Sequence, residues 1–390
     1  MAPPGKAKAS LTEFKAAMRL LVKESPPMLW VVFVVMFFES VAWFSVSMIL
    51  KTYMVDNLGF TDVSAGLHFG ARGLLTTVIG VLLGVPIDKF GVRPALILGT
   101  LLLFVSRLSF GLAQSQWFFL MNLYVINPMG NSLALPVLSM SVKRLSTTAT
   151  KTVAYGVTFV VMNVGWAVGG IVTDIIRRYV KHGKNGSISV PLGEQMTCYR
   201  VIAMMSSMAT LICVILGIAF VKDIEVDEDT RRTIPFVHEH KGGLWSMVKK
   251  LLRNPKFGRY VVLVCGLLGV RTLLSHLGAT FPQYLEREYG TSVSYGTIVA
   301  INPILVIVLT LVFTAFTMHV GNYTMLEVGT CVAAASPFFL CGIHISTAII
   351  FIVILSVGEA MCVQLCYRRR WAWGVDGGKG ARVGERSWAE

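Results

Sequence analysis

The chain has 390 residues, of which 54% are hydrophobic and 14% are charged, and its formal net charge is +14. Soluble domains carry about 25% charged residues, so this composition excludes an ordinary soluble protein. The positive charge is typical of basic residues that anchor the inner ends of membrane helices to anionic lipid, and it requires no nucleic-acid partner. The lipid bilayer is therefore the first predicted partner.

Long uninterrupted apolar runs predict membrane-spanning helices. A bilayer core of about 30 Å requires about 20 apolar residues in each spanning helix, and it admits only backbones that satisfy their own hydrogen bonds. The sequence therefore predicts an all-α polytopic membrane protein with about ten transmembrane helices. The expected ranges are 28–50, 64–86, 92–112, 117–141, 152–176, 200–221, 260–283, 293–317, 324–343 and 347–367.

Polar segments divide the chain into parts. The connection 222–259 is long and mixed in charge, and it separates six of the runs from the other four. It includes GGLWSMVKKLLRNPKF, which is amphipathic enough to lie on the membrane surface. The predicted parts are a cytosolic N-terminal segment 1–27, a six-helix bundle 28–221, the cytosolic linker 222–259, a partial four-helix bundle 260–367 and a disordered tail 368–390.

Basic residues predict the orientation of the helices. Lys and Arg in the connections concentrate on one side of the membrane when the N-terminus is cytosolic, which predicts that both termini are cytosolic. The segment 177–199 is an exception, because it places Arg177, Arg178 and Lys181 on the outer side. In the same segment Asn185 begins an Asn-Gly-Ser sequence and is a glycosylation candidate. The kind of membrane, plasma or organellar, is left open.

Residue patterns typical of catalysis or metal binding are absent from the sequence. His238, Glu239 and His240 stand together, but two histidines that flank an acid in a charged loop are expected to be solvated side chains. No nucleophile-base set, phosphate-binding loop or pair of carboxylates on one helical face is found. We therefore predict no enzymatic activity, no cofactor and no metal site.

Ionisable residues inside the apolar runs are the candidates for function. An unpaired ion in the bilayer core costs at least about 2.5 to 3.5 kcal/mol, so such residues face a polar cavity or one another. Glu39 lies roughly 17 Å into the first run, near the middle of the bilayer. We expect Glu39 to bind cargo or a proton, and a structural pair with Arg72 or Arg107 is the alternative. Arg107 is expected to extend towards the outer membrane interface instead.

The second half carries ionisable residues at comparable depth. Arg271 and Glu359 are expected to face each other as a gate pair or to contact cargo, with a purely structural salt bridge as the alternative. His276 is either a proton shuttle or a hydrogen-bonded packing residue. Asn163 and Asn302 have neutral side chains, and each is expected either to pack between helices or to contact cargo.

A charged segment, GVPIDKFGVRPALILG at 84–99, separates the second and third runs. Its charges fall at the cytosolic reversal of the chain, where the cost of burial in lipid is avoided, and a glycine there permits a tight turn. On its own residues the segment is a turn with basic membrane anchors. The positions that define it are Gly84, Asp88, Lys89, Gly91 and Arg93.

The order G-x-x-x-D-K-x-G-x-R in this segment resembles the signature of the major facilitator superfamily between spans two and three. The resemblance implies two helical halves, transport of a small solute by alternating access, and a cytoplasmic latch to which Asp88 and Arg93 contribute. The superfamily plan has twelve spans, so the chain is expected to be truncated after the tenth, near Tyr367.

Within the superfamily, four stretches are similar to the proton-dependent oligopeptide transporter branch, which handles peptides or nitrate. The first-span motif of that branch falls on Met36 to Val41, where only Glu39 remains of its charged residues, and the fourth-span lysine falls on Leu135. The similar stretches are FFESVAWFSVSM (37–48), TFVVMNVGWAVGG (158–170), AINPILVIVLTLVF (300–313) and ILSVGEAM (354–361).

The predicted function is secondary active transport of a small polar solute, peptide or amino-acid-like, across a membrane. Coupling to protons is left open. The alternative is a non-transporting receptor or scaffold, or an inactive truncated carrier, on the same fold. The substrate and proton candidates are Glu39, Arg72, Asn163, Arg271, His276, Asn302 and Glu359.

Overall fold

A computed structural model describes most of the chain. Side chains of some residues within its helices and strands, including those of Asp88 and Lys89, are not described. The described residues are 16, 18–23, 25–147, 150–181, 187–189, 195–226, 233–235, 253, 257–258, 268–269, 272–290, 292–316, 322–342 and 344–374.

The described part of the chain is almost entirely helical. A π-helical turn, Asn122–Ile126, joins α4 to α5, a 3-10 helix, Ser336–Cys341, follows α10, and residues 272–279 are also helical. The helices are α1 (Pro27–Asp56), α2 (Asp62–Phe90), α3 (Val92–Leu112), α4 (Gln116–Met121), α5 (Asn127–Arg144), α6 (Lys151–Lys181), α7 (Cys198–Phe220), α8 (Phe281–Tyr289), α9 (Tyr295–Phe316), α10 (Asn322–Ala335) and α11 (Ile345–Gly374).

Two short antiparallel strand pairs lie in the polar connections. The first pair, β1 (Ser187–Ser189) with β2 (Gln195–Thr197), connects α6 to α7. The second pair, β3 (Ile224–Val226) with β4 (Thr233–Pro235), lies in the segment predicted to be the linker. Each strand has three residues, so the fold class is all-α as predicted.

Eight of the described helical segments are long and apolar enough to cross a membrane, which confirms an integral, multi-pass membrane protein. The predicted span 117–141 is helical from Gln116 to Arg144, but the π-helical turn interrupts it. The predicted span 260–283 lies largely outside the described residues. The number of spans therefore agrees with the prediction only approximately.

The membrane helices run through the bundle in alternating directions. We call the face where α1 ends and α2 begins the outer face, after the predicted orientation, and the face of the α2–α3 turn the inner face. Gly91 forms that turn with a φ of +95°, a backbone conformation that favours glycine, which confirms the predicted tight turn. Asp223 accepts the backbone N–H groups of Val92 and Arg93 at 2.8 and 3.0 Å, which satisfies the first turn of α3.

Apolar packing joins the two halves of the bundle. Phe44 and Met48 of α1 lie in the same buried cluster as Phe281 of α8 and Phe351 of α11. Side chains of α1 and α11, which are far apart in sequence, thus share one core. This core fixes the relative position of the groups that line the interface between the halves.

Helix α11 is longer than the predicted tenth span. It continues through Gly374, so the residues from Arg368 to Gly374, predicted to belong to a disordered tail, are helical. Arg is a good helix former, and a helix that leaves the bilayer can continue into water with its backbone hydrogen bonds intact. The other predicted domain boundaries stay predictions.

Candidate functional site

Glu39 and Arg107 form an ion pair in the interior of the first half. The Arg107 guanidinium donates to both carboxylate oxygens of Glu39, at 2.8 and 2.5 Å, and also to the hydroxyl of Thr210 on α7. The side chains are 1% and 2% exposed. The expectation that Arg107 extends to the outer interface is therefore wrong, because an acid on a neighbouring helix offers it a closer partner than water does.

Glycines bring α6 into contact with α1 at the depth of this ion pair. A Cβ added at Gly165 would lie 2.7 Å from the Cβ of Ser40 and 2.9 Å from the carbonyl oxygen of Phe37. Only a residue without a side chain permits this approach. Asn163 lies within one turn of Gly165, and Glu39 is next to Ser40, so Asn163 and Glu39 lie at the same depth.

The backbones of α6 and α9 touch where the two halves meet. A Cβ added at Gly170 would lie 2.5 Å from the carbonyl oxygen of Gly296. The two helices run in opposite directions, so moving about 10 Å inward from this contact leads to Asn163 on one helix and Asn302 on the other. The two asparagines therefore lie at one depth, on opposite sides of the interface between the halves.

Asn302 is hydrogen-bonded to Glu359, so Glu359 lies near the same depth. Its amide donates to the Glu359 carboxylate at 3.1 Å and to the Ser356 hydroxyl at 3.0 Å. Asn302 is 6% exposed and Glu359 is 7% exposed. The amide of Asn163 instead donates to the carbonyl oxygen of Phe159 on its own helix, at 2.9 Å, so its partner is local.

We call the buried groups at this depth the polar layer. Its members come from helices of both halves, and carboxylate, guanidinium and amide groups are all represented. Such a layer near the middle of the bilayer is the usual place of a cargo site in carriers built from two halves. Counting residues into the apolar runs placed Glu39 and Glu359 at this depth, whereas Asn163 and Asn302 were found through the family resemblance. The polar layer is Glu39, Arg107, Asn163, Asn302 and Glu359.

Arg72 on α2 lies at the depth of the polar layer. The Ser132 hydroxyl of α5 donates to the carbonyl oxygen of Thr76 at 2.7 Å, and Asn127 of α5 donates to the hydroxyl of Ser106 at 3.0 Å. These bonds fix α2 and α3 against α5. Arg72 is one turn outward of Thr76, and Arg107 follows Ser106, so the two arginines lie at about the same level.

Arg271 and His276 are the two remaining candidates of the second half. Arg271 lies outside the described residues, so its pairing with Glu359 stays a prediction. His276 is exposed, and a nitrogen of its ring lies 3.1 Å from the hydroxyl of Thr280, one turn further along the same helical segment. This contact is local, and the proton shuttle stays a prediction.

Asp174 links the halves on the outer side of the polar layer. Its carboxylate accepts the backbone N–H of Gly296 at 3.0 Å and that of Thr297 at 2.6 Å, and it also accepts the Thr297 hydroxyl at 2.7 Å. These N–H groups belong to the first turn of α9. An acid from the first half therefore caps a helix of the second half.

Arg177 extends this connection between the halves. Its guanidinium donates to the Glu286 carboxylate at 2.9 Å and to the carbonyl oxygen of Val293 at 3.1 Å, and it lies 3.8 Å from the centre of the Tyr295 ring. Arg177 is 3% exposed. We call the residues that close the halves at this face the outer latch: Asp174, Arg177, Glu286, Gly296 and Thr297.

Sequence reasoning did not identify the outer latch. Its members lie at helix ends, where no depth argument applies, and their pairing depends on how the two halves meet. The one signal was the set of basic residues in 177–199, on the side of the membrane where few are expected. The structure gives Arg177, a member of that set, a buried acidic partner in the first half, Asp174, and a half-buried one in the second half, Glu286.

On the inner side, the face of α6 that meets α9 at Gly170 borders open space within the described part of the chain. Gly156 is on the same face of α6 as Gly170 and Asn163, since the three are spaced by seven residues. A Cβ added at Gly156 would have no atom of the described chain within 4 Å, whereas one added at Gly170 would collide with α9. The close contact with α9 at Gly170 therefore has no counterpart at Gly156 among the described residues.

The charged segment between α2 and α3 makes contacts within the first half. The Arg93 guanidinium donates to the carbonyl oxygen of Ile218 at the end of α7, at 3.3 Å. Gly84 and Gly91 lie at the inner end of α2 and in the turn, while the side chains of Asp88 and Lys89 are not described. A latch between the halves at this face therefore stays a prediction.

Two other sequence predictions concern ligands and modification. Asn185 lies outside the described residues. Within the described ranges, no group of three or more His, Cys, Asp or Glu side chains could hold a metal ion.

Comparison with solved structures identifies the fold. One similar structure is a POT family transporter in complex with a thioalcohol-conjugated peptide, with 14% identity, 86% of this chain and 82% of that chain covered, and a TM-score of 0.69. Another is a bacterial homologue of the human drug peptide transporters PepT1 and PepT2, with 16% identity, coverage of 89% and 84%, and a TM-score of 0.61. A third is a POT family transporter in complex with 5-aminolevulinic acid, with 15% identity, coverage of 87% and 82%, and a TM-score of 0.61.

At these identities the likeness concerns the fold. No curated protein matches the chain by sequence. The family profile of the Major Facilitator Superfamily matches residues 32–367, which is most of the chain and includes both halves of the polar layer and the outer latch. The chain therefore belongs to the Major Facilitator Superfamily and is a secondary transporter.

Proposed function

We propose that the protein moves a small polar solute of amino-acid or peptide character across the membrane by alternating access. The observation that carries this proposal is the polar layer, in which both halves contribute buried polar groups at one depth. A solute bound there contacts both halves, so its binding is coupled to their relative position. The contact of α6 with α9 on the outer side alone supports a state that is closed to the outside.

The acid in the second half sets the expected chemistry of the cargo. Glu359 and Asn302 place a carboxylate and an amide together, which suits a protonated amine. Peptides and 5-aminolevulinic acid, the ligands of two transporters with a similar fold, each combine an amine with a carboxylate. We therefore propose a solute that carries an ammonium group.

Proton coupling requires a second acid, because a carboxylate that binds the ammonium group and a proton in turn would move them in opposite directions. We assign this role to Glu39, the other buried acid of the polar layer. In this proposal Glu39 takes up a proton from the outer side while Glu359 holds the ammonium group, both are released at the inner face, and the inward proton gradient drives net uptake. Both termini are proposed to lie in the cytosol, so the inner face opens towards the cytosol.

Uptake into proteoliposomes tests this function. With an inward proton gradient, the wild-type protein should accumulate radiolabelled dialanine or 5-aminolevulinic acid, and Glu359→Gln should reduce uptake to the level of empty liposomes. The matched control is Glu327→Gln, which changes an exposed acid of the same half and should leave uptake unchanged. Wild-type rates in Glu359→Gln would remove this acid from the mechanism, and uptake that ignores the proton gradient would indicate uncoupled transport.

A further inference from the structure

Arg72 is a cation of the membrane interior, and its contacts with the described residues include no acid. Its Nε is buried and has no hydrogen-bond partner among the described residues. The guanidinium carbon lies 5.0 Å from the centre of the Phe69 ring on the same helix. A ring face attracts a cation, but it is a weaker partner than an acid. An arginine at this depth usually pairs with a carboxylate, and these contacts include none.

The acids within the apolar runs are engaged elsewhere. Both oxygens of Glu39 accept from Arg107, and Asp174 lies in the outer latch. Glu359 is bonded to Asn302 in the other half, and Glu327 is exposed. The acids whose side chains are not described all lie in polar segments outside the predicted spans, at positions Glu13, Glu24, Asp88, Glu194, Asp227, Glu228, Asp229, Glu239, Asp376, Glu385 and Glu390.

The position of Arg72 is fixed by bonds on either side. One turn outward, the His68 ring is hydrogen-bonded to the hydroxyl of Tyr124, and one turn inward the carbonyl oxygen of Thr76 accepts from Ser132. These bonds hold α2 against the π-helical turn and α5. Arg72 is thus held at the depth of the polar layer, on the face of α2 that contacts the other helices of the first half.

We propose that Arg72 binds a flat oxyanion, either the carboxylate of the cargo or nitrate. A guanidinium group presents parallel N–H donors whose spacing matches two oxygens of such an anion, and in a water-poor environment this pairing is strong. Arg107 cannot serve in this way, because Glu39 already occupies both of its terminal nitrogens. The anion site therefore belongs to α2 of the first half.

This inference adds an anion site to the proposed function. It rests on the proposed function only where it takes the bound anion to be part of the cargo. With Arg72 in the first half and Glu359 in the second, a zwitterionic solute would bind its carboxylate to one half and its amine to the other. Such a solute holds the halves together only when both ends are charged. The inference thus predicts that cargo lacking either charge binds weakly.

Calorimetric titration of the purified protein in detergent tests the anion site. The probes are dialanine, dialanine amide, which lacks the carboxylate, and sodium nitrate with sodium chloride as reference. The wild-type protein should bind dialanine at least tenfold more tightly than its amide if the anion is a carboxylate, or bind nitrate in preference to chloride if it is nitrate. Arg72→Gln should abolish that preference, and Arg72→Lys, which keeps the charge but loses the fork, should retain only part of it.

Arg287→Gln is the matched control, since Arg287 pairs with Asp62 at an exposed site and its loss should leave both preferences intact. The inference is overturned if Arg72→Gln keeps the wild-type preference, or if the wild-type protein prefers neither oxyanion. If the preference depends on Arg72 but the wild-type protein moves no solute into liposomes, the anion site stands and the proposed transport is contradicted. If transport proceeds and Arg72→Gln transports dialanine and its amide as the wild type does, the transport stands and the anion site is contradicted.

Discussion

Replacing Arg107 with methionine is expected to remove about 3 to 5 kcal/mol of stability, because it leaves the Glu39 carboxylate buried without a cation. The double variant Glu39→Met/Arg107→Met should recover most of this loss, since well-packed apolar side chains of similar volume often replace a buried ion pair at little cost. The measurement is the temperature at which the purified protein in detergent loses its monodisperse elution.

An exposed ion pair at the protein surface provides a matched control for this experiment. Arg287 pairs with Asp62 at 2.8 Å, but both side chains are substantially exposed, so Arg287→Met should leave the temperature nearly unchanged. If Arg107→Met is as stable as the wild type, the ion pair contributes nothing to the fold. If the double variant is as unstable as the single one, the loss arises from packing and not from the unpaired charge.

Replacing Asp174 with alanine is expected to open the outer face. The substitution removes the acceptor for two backbone N–H groups of α9 and one neighbour of Arg177. Loss of a helix cap costs about 1 to 2 kcal/mol, which corresponds to a change of roughly fivefold to thirtyfold in the equilibrium between closed and open states. The closed state should lose population, because only that state contains these bonds.

Distances between spin labels at Val63 and Phe338 measure this opening by electron–electron double resonance. These residues are 84% and 77% exposed, and they lie at the outer face in different halves. Asp174→Ala should add a longer distance that is rare in the wild type, in a background without native cysteines. Tyr179→Ala, an exposed position on the same helix, is the control. An unchanged distribution in Asp174→Ala would show that the outer latch does not hold the halves together.

The membrane architecture could be predicted from sequence because its signal is local. A run of about 20 apolar residues needs no knowledge of neighbours to be recognised as a spanning helix. The tight turn at Gly91 was recognisable for a similar reason, since a glycine between two helical runs permits a positive φ. Counting residues from the ends of the runs also placed Glu39 and Glu359 at mid-depth, and their neighbours in the structure lie at one level.

The partners of these groups could not be predicted from sequence. Glu39 had two candidate arginines, and the choice of Arg107 depends on how α1 and α3 both pack against α7, which periodicity does not specify. Similarly, Asp174 caps α9 because two glycines allow the backbones of α6 and α9 to touch. Both results depend on the register between helices far apart in sequence, and local patterns contain no information on that register.

Some local features also escaped prediction. The π-helical turn at Asn122–Ile126 interrupts a span whose apolar pattern is continuous, and β1 to β4 are too short to show the alternation of a strand. The helical continuation of α11 to Gly374 was missed because polar and aromatic residues following a span were interpreted as a tail. In each case the local residue pattern is compatible with more than one backbone geometry, so it does not specify the one that the structure shows.

We propose that the polar layer is reached from one side of the membrane at a time and that the outer face is closed in this state. Labelling of Gly156→Cys with a membrane-impermeant maleimide tests this proposal, because the position borders open space on the inner side. In oriented vesicles of a variant without native cysteines, reagent added at the inner face should label this cysteine, and reagent at the outer face should label only the control Val63→Cys. Labelling of Gly156→Cys from the outer face, or from neither face, would contradict the account.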